Sequence, residues 1–320
     1  MSGYESYRRP FPRVVRIEPS SACNLSCSHC PTGTVSLRRG RMKPDTFDRV
    51  VAQLRPHRAS IGVAVLYHGG EPLLNKRFPA MIRSVMDLGI PHVKTVSNGM
   101  VLTLERARAL IDSGLHAIEF SLDGEGVEEN DFVRRKSDGA TVIDNIRGLL
   151  ALKKQLGVSH PDVAISQTRF ARPEGFDRNA LPEPAPYLLD AFADYSDQVT
   201  FKTTWAMRWP HMEVDPQIYD TFPEPGRTDD IHACDHVENT LTIASDGSVL
   251  ACCYDLTRKL VMGSVLESSL EEIWNGHPYL ALRKSIAEGN FHSICSRCAT
   301  VRPGVFLRMK PGVIPIASGA

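Results

Sequence analysis

The chain has 320 residues, with 37 lysine plus arginine against 37 aspartate plus glutamate and a hydrophobic content of 42%. Balanced charge excludes the basic field that grips nucleic acid or anionic lipid, so the expected partner is a small or near-neutral molecule rather than nucleic acid. No uninterrupted apolar run approaches a membrane span, and Met1 to Arg9 is polar where a signal peptide would carry its apolar core, which predicts a cytoplasmic protein with no membrane partner.

The length predicts about two domains. Short β-rich runs fall at Arg13–Glu18, Ser60–Tyr67, His92–Ser97, Ala117–Leu122, Asp162–Thr168 and Gln198–Thr204. Amphipathic helical patterns lie between them, at Pro44–Leu54, Phe78–Leu88, Leu104–Ser113 and Thr141–Leu156. Strands alternating with helices predict an α/β fold with a parallel sheet, and six such units fall short of the eight that close a full barrel. Residues 1–12 read as an N-terminal extension, 13–208 as the βα array, the proline- and acid-rich 209–228 as a linker or lid, and 229–320 as a second domain. In that last segment Thr240 to Ala251 reads as a hairpin around an Asp-Gly turn, and Ser268–Trp274 as a short helix with a serine at its start and acids in its first turn.

Eight cysteines in a reducing compartment read as metal ligands or catalytic thiols rather than as disulfides. Cys23, Cys27 and Cys30 stand as C-x3-C-x2-C on the loop after the first predicted strand, the carboxyl end of the sheet, where such folds place active sites. Thiolates suit iron–sulfur clusters, and four normally close a cubane, so three leave one iron open to a small molecule. The alternative is zinc with His29 or a distant residue as fourth ligand, but His29 adjoins Cys30 and sharing one tetrahedral ion would strain the backbone.

The three-cysteine run resembles the signature of the radical SAM superfamily. That resemblance implies a curved, partial (β/α)6 TIM-type barrel. It also implies a [4Fe–4S] cluster whose open iron chelates S-adenosylmethionine, and reductive cleavage to a 5′-deoxyadenosyl radical that abstracts hydrogen from substrate. An external one-electron reductant such as flavodoxin or ferredoxin follows from the same chemistry. His68-Gly69-Gly70-Glu71-Pro72, after the second strand, is similar to the family's "GGEP" element, which binds the methionine amino group. Ser97-Asn98-Gly99 and the stretch Ser121 to Gly124, after strands three and four, fall where the family lines its SAM pocket, which marks Ser97, Asn98, Ser121 and Asp123. A downstream arginine often pairs with the SAM carboxylate, and Arg134 is the candidate with Arg135 as rival. His29 replaces an aromatic residue common before the third cysteine and is expected to contact adenine.

The second cysteine set is Cys234, Cys252-Cys253 and Cys295-x2-Cys298. Its surroundings resemble the Twitch form of the SPASM-type extension, implying a small C-terminal iron–sulfur domain with one auxiliary [4Fe–4S] cluster on Cys234, Cys252, Cys295 and Cys298. A four-cysteine zinc ribbon, in a non-enzymatic binding module, is the alternative on spacing alone. One thiol is left over, Cys253, or Cys252 if the ligand assignment slips by one. Adjacent strand residues face opposite ways, so a spare thiol near a radical site could donate a hydrogen atom.

Among family members of this size two groups come closest: dehydrogenases that oxidise a secondary alcohol of an aminocyclitol or aminoglycoside, and neomycin-type epimerases that invert a sugar carbon. Cys253 tilts the expectation toward epimerisation of a carbohydrate or aminocyclitol in antibiotic biosynthesis. A ribosomal-peptide maturase is a further alternative, weakened because the dozen residues before the first strand leave no room for a peptide-recognition domain. Gln167, Arg169, Lys202, Trp205, Arg208 and Glu213 are the candidate substrate contacts.

Overall fold

The computed structural model describes residues 3–170, 180–224 and 228–314. Met1 and Ser2 of the predicted extension, 171–179 of the predicted βα array, 225–227 of the predicted linker and 315–320 of the last segment lie outside the described residues. Six parallel strands pair in chain order: β1 (Val14–Ile17), β2 (Val63–Val65), β3 (His92–Ser97), β4 (Ala117–Ser121), β5 (Asp162–Arg169) and β6 (Val199–Trp205). All six fall within or beside the predicted runs. The second is shorter than expected, and the 3-10 turn Arg55–Ser60 takes up its first predicted residue.

Helices cross between the strands, each packing its apolar face on the sheet. Pro44–Leu54 starts on a proline, which fits the first turn where no N–H is needed, and buries Phe47, Val50, Val51 and Leu54. The longest helix, Gly139–Leu156, is capped by Asp138, whose side chain accepts from Thr141 N–H, and ends at Gly157 in the left-handed region at φ 65°. With its partners, this layer makes one contiguous core through Val15, Ile17, Leu66, Phe78, Phe120 and Ile165. Among the described residues no helix is long and apolar enough to cross a membrane.

The cysteine-rich C-terminal segment continues the same sheet. β7 (Tyr219–Pro223) lies within the stretch read as a linker or lid, and it pairs antiparallel with β11 (Val305–Met309) in a separate ribbon. β8 (Thr240–Ile243) pairs parallel with β1, from Val14↔Thr240 to Ile17↔Ile243. The expected hairpin then adds β9 (Ser248–Leu250), its turn closing at Gly247 with φ 93°, and β10 (Val261–Ser264) follows at the edge. The short helix is Leu270–Trp274, with Ser269 and Glu272 forming a reciprocal capping box. The N-terminal extension docks here: Trp274 Nε1 donates to Pro10 O at 2.8 Å, and Asn275 bonds Arg9 through both backbone groups.

Candidate active site

The three-cysteine loop leaves β1 and is pinned from two sides. Ser26 and Ser28 donate their N–H groups to Arg135 O and Val133 O at 3.1 and 2.9 Å, and Ser28 Oγ lies 2.7 Å from Tyr219 OH. Glycines permit the tight return. A Cβ on Gly33 would stand 2.4 Å from Cys27 O, and one on Gly70 would stand 2.2 Å from Ser20 O. The Gly69–Glu71 turn therefore lies directly on the cysteine loop, fastened by Glu71 N–H to Ala22 O at 2.8 Å and by Thr32 Oγ1 to Gly69 O.

A cavity opens between these two loops, lined by Cys23, Cys27, Cys30, Gly69, Gly70, Glu71, Ser97, Asn98, Ser121 and Arg134. Ten residues expected at this site thus come together. Asn98 Nδ2 donates to Asn24 Oδ1 at 2.9 Å and stands 3.7 Å from Cys23 Sγ. Glu71 is buried, and burial pushes its carboxyl up against the opposing pull of Asn98 N–H, Leu73 N–H and Ser97 Oγ. Its Oε1 accepts from Leu73 and Ser97 at 2.9 Å, and its Oε2 from Asn98 N–H at 2.8 Å.

Two expected contacts sit differently. His29 and Asp123 do not line this cavity. Buried Asp123 instead ties Arg134 at 2.7 Å, His29 Nε2 at 3.3 Å and Thr168 N–H at 2.9 Å. Burial alone would raise the Asp123 carboxyl; the Arg134 guanidinium and His29 outweigh it and hold it well below the usual carboxylate range. Asp123 in turn raises the pKa of Arg134, and the arginine keeps a buried Nε with no hydrogen-bond partner among the described residues. Arg135 lies at the surface beside Asp215, so Arg134 is the arginine the fold turns inward.

Sequence reading missed Tyr67, Thr32, Leu25 and Val96 in the cavity wall. Tyr67 was marked only by its place just before the His-Gly-Gly turn, and Thr32 only by lying two residues after Cys30. The candidate substrate contacts all have partners within the fold. Gln167 is buried and bonds Gly124 O and Ala185 N–H, Arg169 pairs with Glu125, and Trp205 donates to Ala180 O at 3.0 Å. Glu213 pairs with Arg297 at the surface, Arg208 N–H joins Val305 O, and Lys202 shares Glu119 with Lys94 at 2.7 and 2.9 Å.

The second thiol set is more enclosed. Cys234, Cys252, Cys295 and Cys298 are 7–9% exposed, and Cys253 is half-buried with Sγ 3.5 Å from His236 Nδ1. Burial raises the Cys234 and Cys295 thiols to about 11 and about 12, and neighbouring Cys298 adds to both shifts. In the first set burial likewise lifts Cys27 to about 12. Thiols this reluctant to ionise release protons when a metal binds. Among the described residues no three His, Cys, Asp or Glu side chains form a site ready for a single ion. Cys234, Cys252 and Cys295 each feel the charge of Cys298, and Cys253 bears on Cys234 and Cys252, so the thiols here are neighbours and the donors are all sulfur. That donor set fits an iron–sulfur cluster. The turn carrying Cys252 is held by buried Asp255, which accepts from Lys259 and Leu260 N–H at 2.9 and 2.8 Å.

Residues 17–160 match the radical SAM superfamily, and residues 234–299 match the SPASM iron–sulfur cluster-binding domain. The chain thus carries a radical SAM domain followed by a SPASM domain, and this pairing indicates S-adenosylmethionine and two [4Fe–4S] clusters, one binding the cofactor and one auxiliary. Among relatives, it is 23% identical to the S-adenosyl-L-methionine-dependent 2-deoxy-scyllo-inosamine dehydrogenase of Niallia circulans, over 90% of this chain and 93% of that one. It is 31% identical to the PqqA peptide cyclase of Rhodopseudomonas palustris, but over 36% of this chain and only 29% of the cyclase's length. The fold superposes on BtrN in complex with AdoMet and 2-DOIA with a TM-score of 0.56 and 19% identity, covering 91% and 94% of the two chains.

Proposed function

We propose that the protein removes hydrogen from a carbinol carbon of an aminocyclitol or related small carbohydrate and oxidises that alcohol to a ketone. The observation that carries this reading is the likeness to the inosamine dehydrogenase, which runs through both cluster-binding regions and nearly the full length of each chain. It reverses the order expected from sequence, where the spare thiol put epimerisation first. The cyclase likeness spans too little of either chain to favour a peptide substrate.

Cys23, Cys27 and Cys30 would hold the first cluster, and Cys234, Cys252, Cys295 and Cys298 the auxiliary one. When bound, the first cluster with S-adenosylmethionine supplies a 5′-deoxyadenosyl radical, and the auxiliary cluster supplies a one-electron acceptor. Overall the alcohol gives up one hydrogen atom, one proton and one electron. Glu71 Oε2, with a single N–H bonded, has a lone pair left for the methionine ammonium. Arg134 Nε, without a partner among the described residues, is the donor offered to its carboxylate, while Asp123 holds the Nη1 arm. Ser97, Asn98 and Ser121 offer hydroxyl and amide groups suited to a ribose. Glu119 between Lys94 and Lys202 offers both signs of charge to a polyol or amine. A flavodoxin- or ferredoxin-type reductant in the cytoplasm completes the reading.

A specific observation keeps inversion as the second reading. Cys253, the thiol left over from the four expected ligands, has its Sγ 3.5 Å from His236 Nδ1 and feels the charge of Arg16, the β1 residue between core-facing Val15 and Ile17. Turnover of aminocyclitols in deuterated water separates the two. A product two hydrogens lighter, unchanged in yield when Cys253 is replaced by alanine, supports oxidation; a product of unchanged formula carrying one deuterium overturns it in favour of inversion.

A further inference from the structure

The turn that borders the cavity and the C-terminal segment that carries the second thiol set are joined by one carboxylate. Glu18, 2% exposed at the end of β1, divides its two oxygens between them. Oε1 accepts from Gly69 N–H at 3.1 Å and stands 3.4 Å from His68 Nδ1, on the turn that borders the cavity. Oε2 accepts from Ser245 N–H at 2.9 Å and from Arg258 at 2.7 Å, both in the C-terminal segment. Arg258 reaches Asp246 at 2.6 Å with its other arm. It lies in the turn that begins at Cys252, and its backbone has φ 53°, a left-handed conformation that side chains adopt only when their surroundings impose it. The same turn sends Leu256 against Gly69, where an added Cβ would meet Leu256 Cδ2 at 3.1 Å and Glu18 Oε1 at 3.3 Å. Neither Glu18 nor Arg258 lines the cavity.

We propose that Glu18 and Arg258 are positioning residues through which the C-terminal cluster-binding segment sets the geometry of the Gly69–Glu71 turn, and so the affinity for S-adenosylmethionine. This rests on the reading that the turn binds that cofactor. Any such coupling is reciprocal: assembly of the auxiliary segment favours cofactor binding, and the bound cofactor favours that assembly.

The test is S-adenosylmethionine affinity of the cluster-loaded enzyme, by equilibrium dialysis, with the electron paramagnetic resonance change of the first cluster on cofactor addition as a second readout. Arg258→Met and Glu18→Gln are each expected to weaken binding about tenfold and to alter the cofactor-induced spectrum. The double variant is expected to be no weaker than either single one, because both cut the same link. Arg258→Lys keeps the charge and is expected to restore most of the affinity; it also carries the test if Arg258→Met fails to load its clusters. Unchanged affinity in the loaded variants, or losses that multiply, would overturn the proposal. Asn98→Ala is the control for the site itself: weakened binding there leaves the cavity assignment standing whatever the clasp does, whereas unchanged binding removes that assignment too.

Discussion

The two thiol sets differ in how much of them the fold leaves open. The C-terminal four are all buried, each below a tenth exposed, whereas of the N-terminal three only Cys27 is buried, and Cys23 and Cys30 are half-buried beside the cavity. An open coordination position marks reactive metal sites and a closed shell marks structural or electron-transfer ones. On exposure as well as on ligand number, the contrast supports the proposal that the first loop carries the open cluster and the second set the closed one.

Exchanging one thiol from each set gives the sharpest break in that comparison. Cys27→Ala is expected to cut 5′-deoxyadenosine formation more than about 100-fold while the auxiliary cluster's absorption survives. Cys298→Ala is expected to retain S-adenosylmethionine cleavage within about tenfold while ketone formation is lost, as product analysis by mass spectrometry would read. Equal loss of cleavage in both variants would erase the distinction.

The wiring around the open site gives the next effect. Asp123→Asn leaves Arg134 buried without its partner, expected to cost about 3–5 kcal/mol in denaturant unfolding of the loaded protein. The link between the two regions has a pH signature. Burial would raise the Glu18 carboxyl, but His68, Arg258 and Ser245 N–H outweigh it and hold its pKa at about 2, below its ordinary 4.5. A carboxyl lowered by folding contributes stability that is fully present above about 4.5 and is lost as pH falls toward about 2, here about 3 kcal/mol. Glu18→Gln should flatten the unfolding free energy over that window; an unchanged pH profile would detach Glu18 from the account. The smallest effect concerns the loop's tightness. Gly33→Ala places a methyl group inside the Cys27 backbone and should cost about 1–3 kcal/mol, read as reduced iron content of the first site only.

What the sequence made legible followed from period and spacing. Strand–helix alternation located the six strands β1–β6, and the serine and acids opening Leu270–Trp274 marked a real cap. The cavity wall was legible wherever a small polar residue follows a strand, as at Ser97, Asn98 and Ser121. Long-range pairing was not. Gln167 at a strand end is indistinguishable in sequence from a substrate contact, and only the Ala185 loop reveals it as framework. Asp123 and His29 were each expected at the cofactor, but the nearby guanidinium claims the carboxylate and the carboxylate claims the imidazole. Glu18 carried no local signal at all, since its partners Ser245 and Arg258 lie more than 220 residues away.

The parallel pairing of β8 with β1 has a consequence for how the protein is made. β1 emerges first from the ribosome, but the neighbour that covers its outer edge is complete only at Ile243. For most of synthesis the nascent barrel therefore displays a bare row of backbone donors and acceptors, the kind of edge that templates aggregation. Contacts so distant along the chain also slow folding, because the intervening loop must be closed before they form. A chain cut short before Thr240 would keep every strand of the barrel and still lack the partner that covers β1, so expression of the N-terminal region alone is expected to yield aggregates rather than a smaller soluble enzyme.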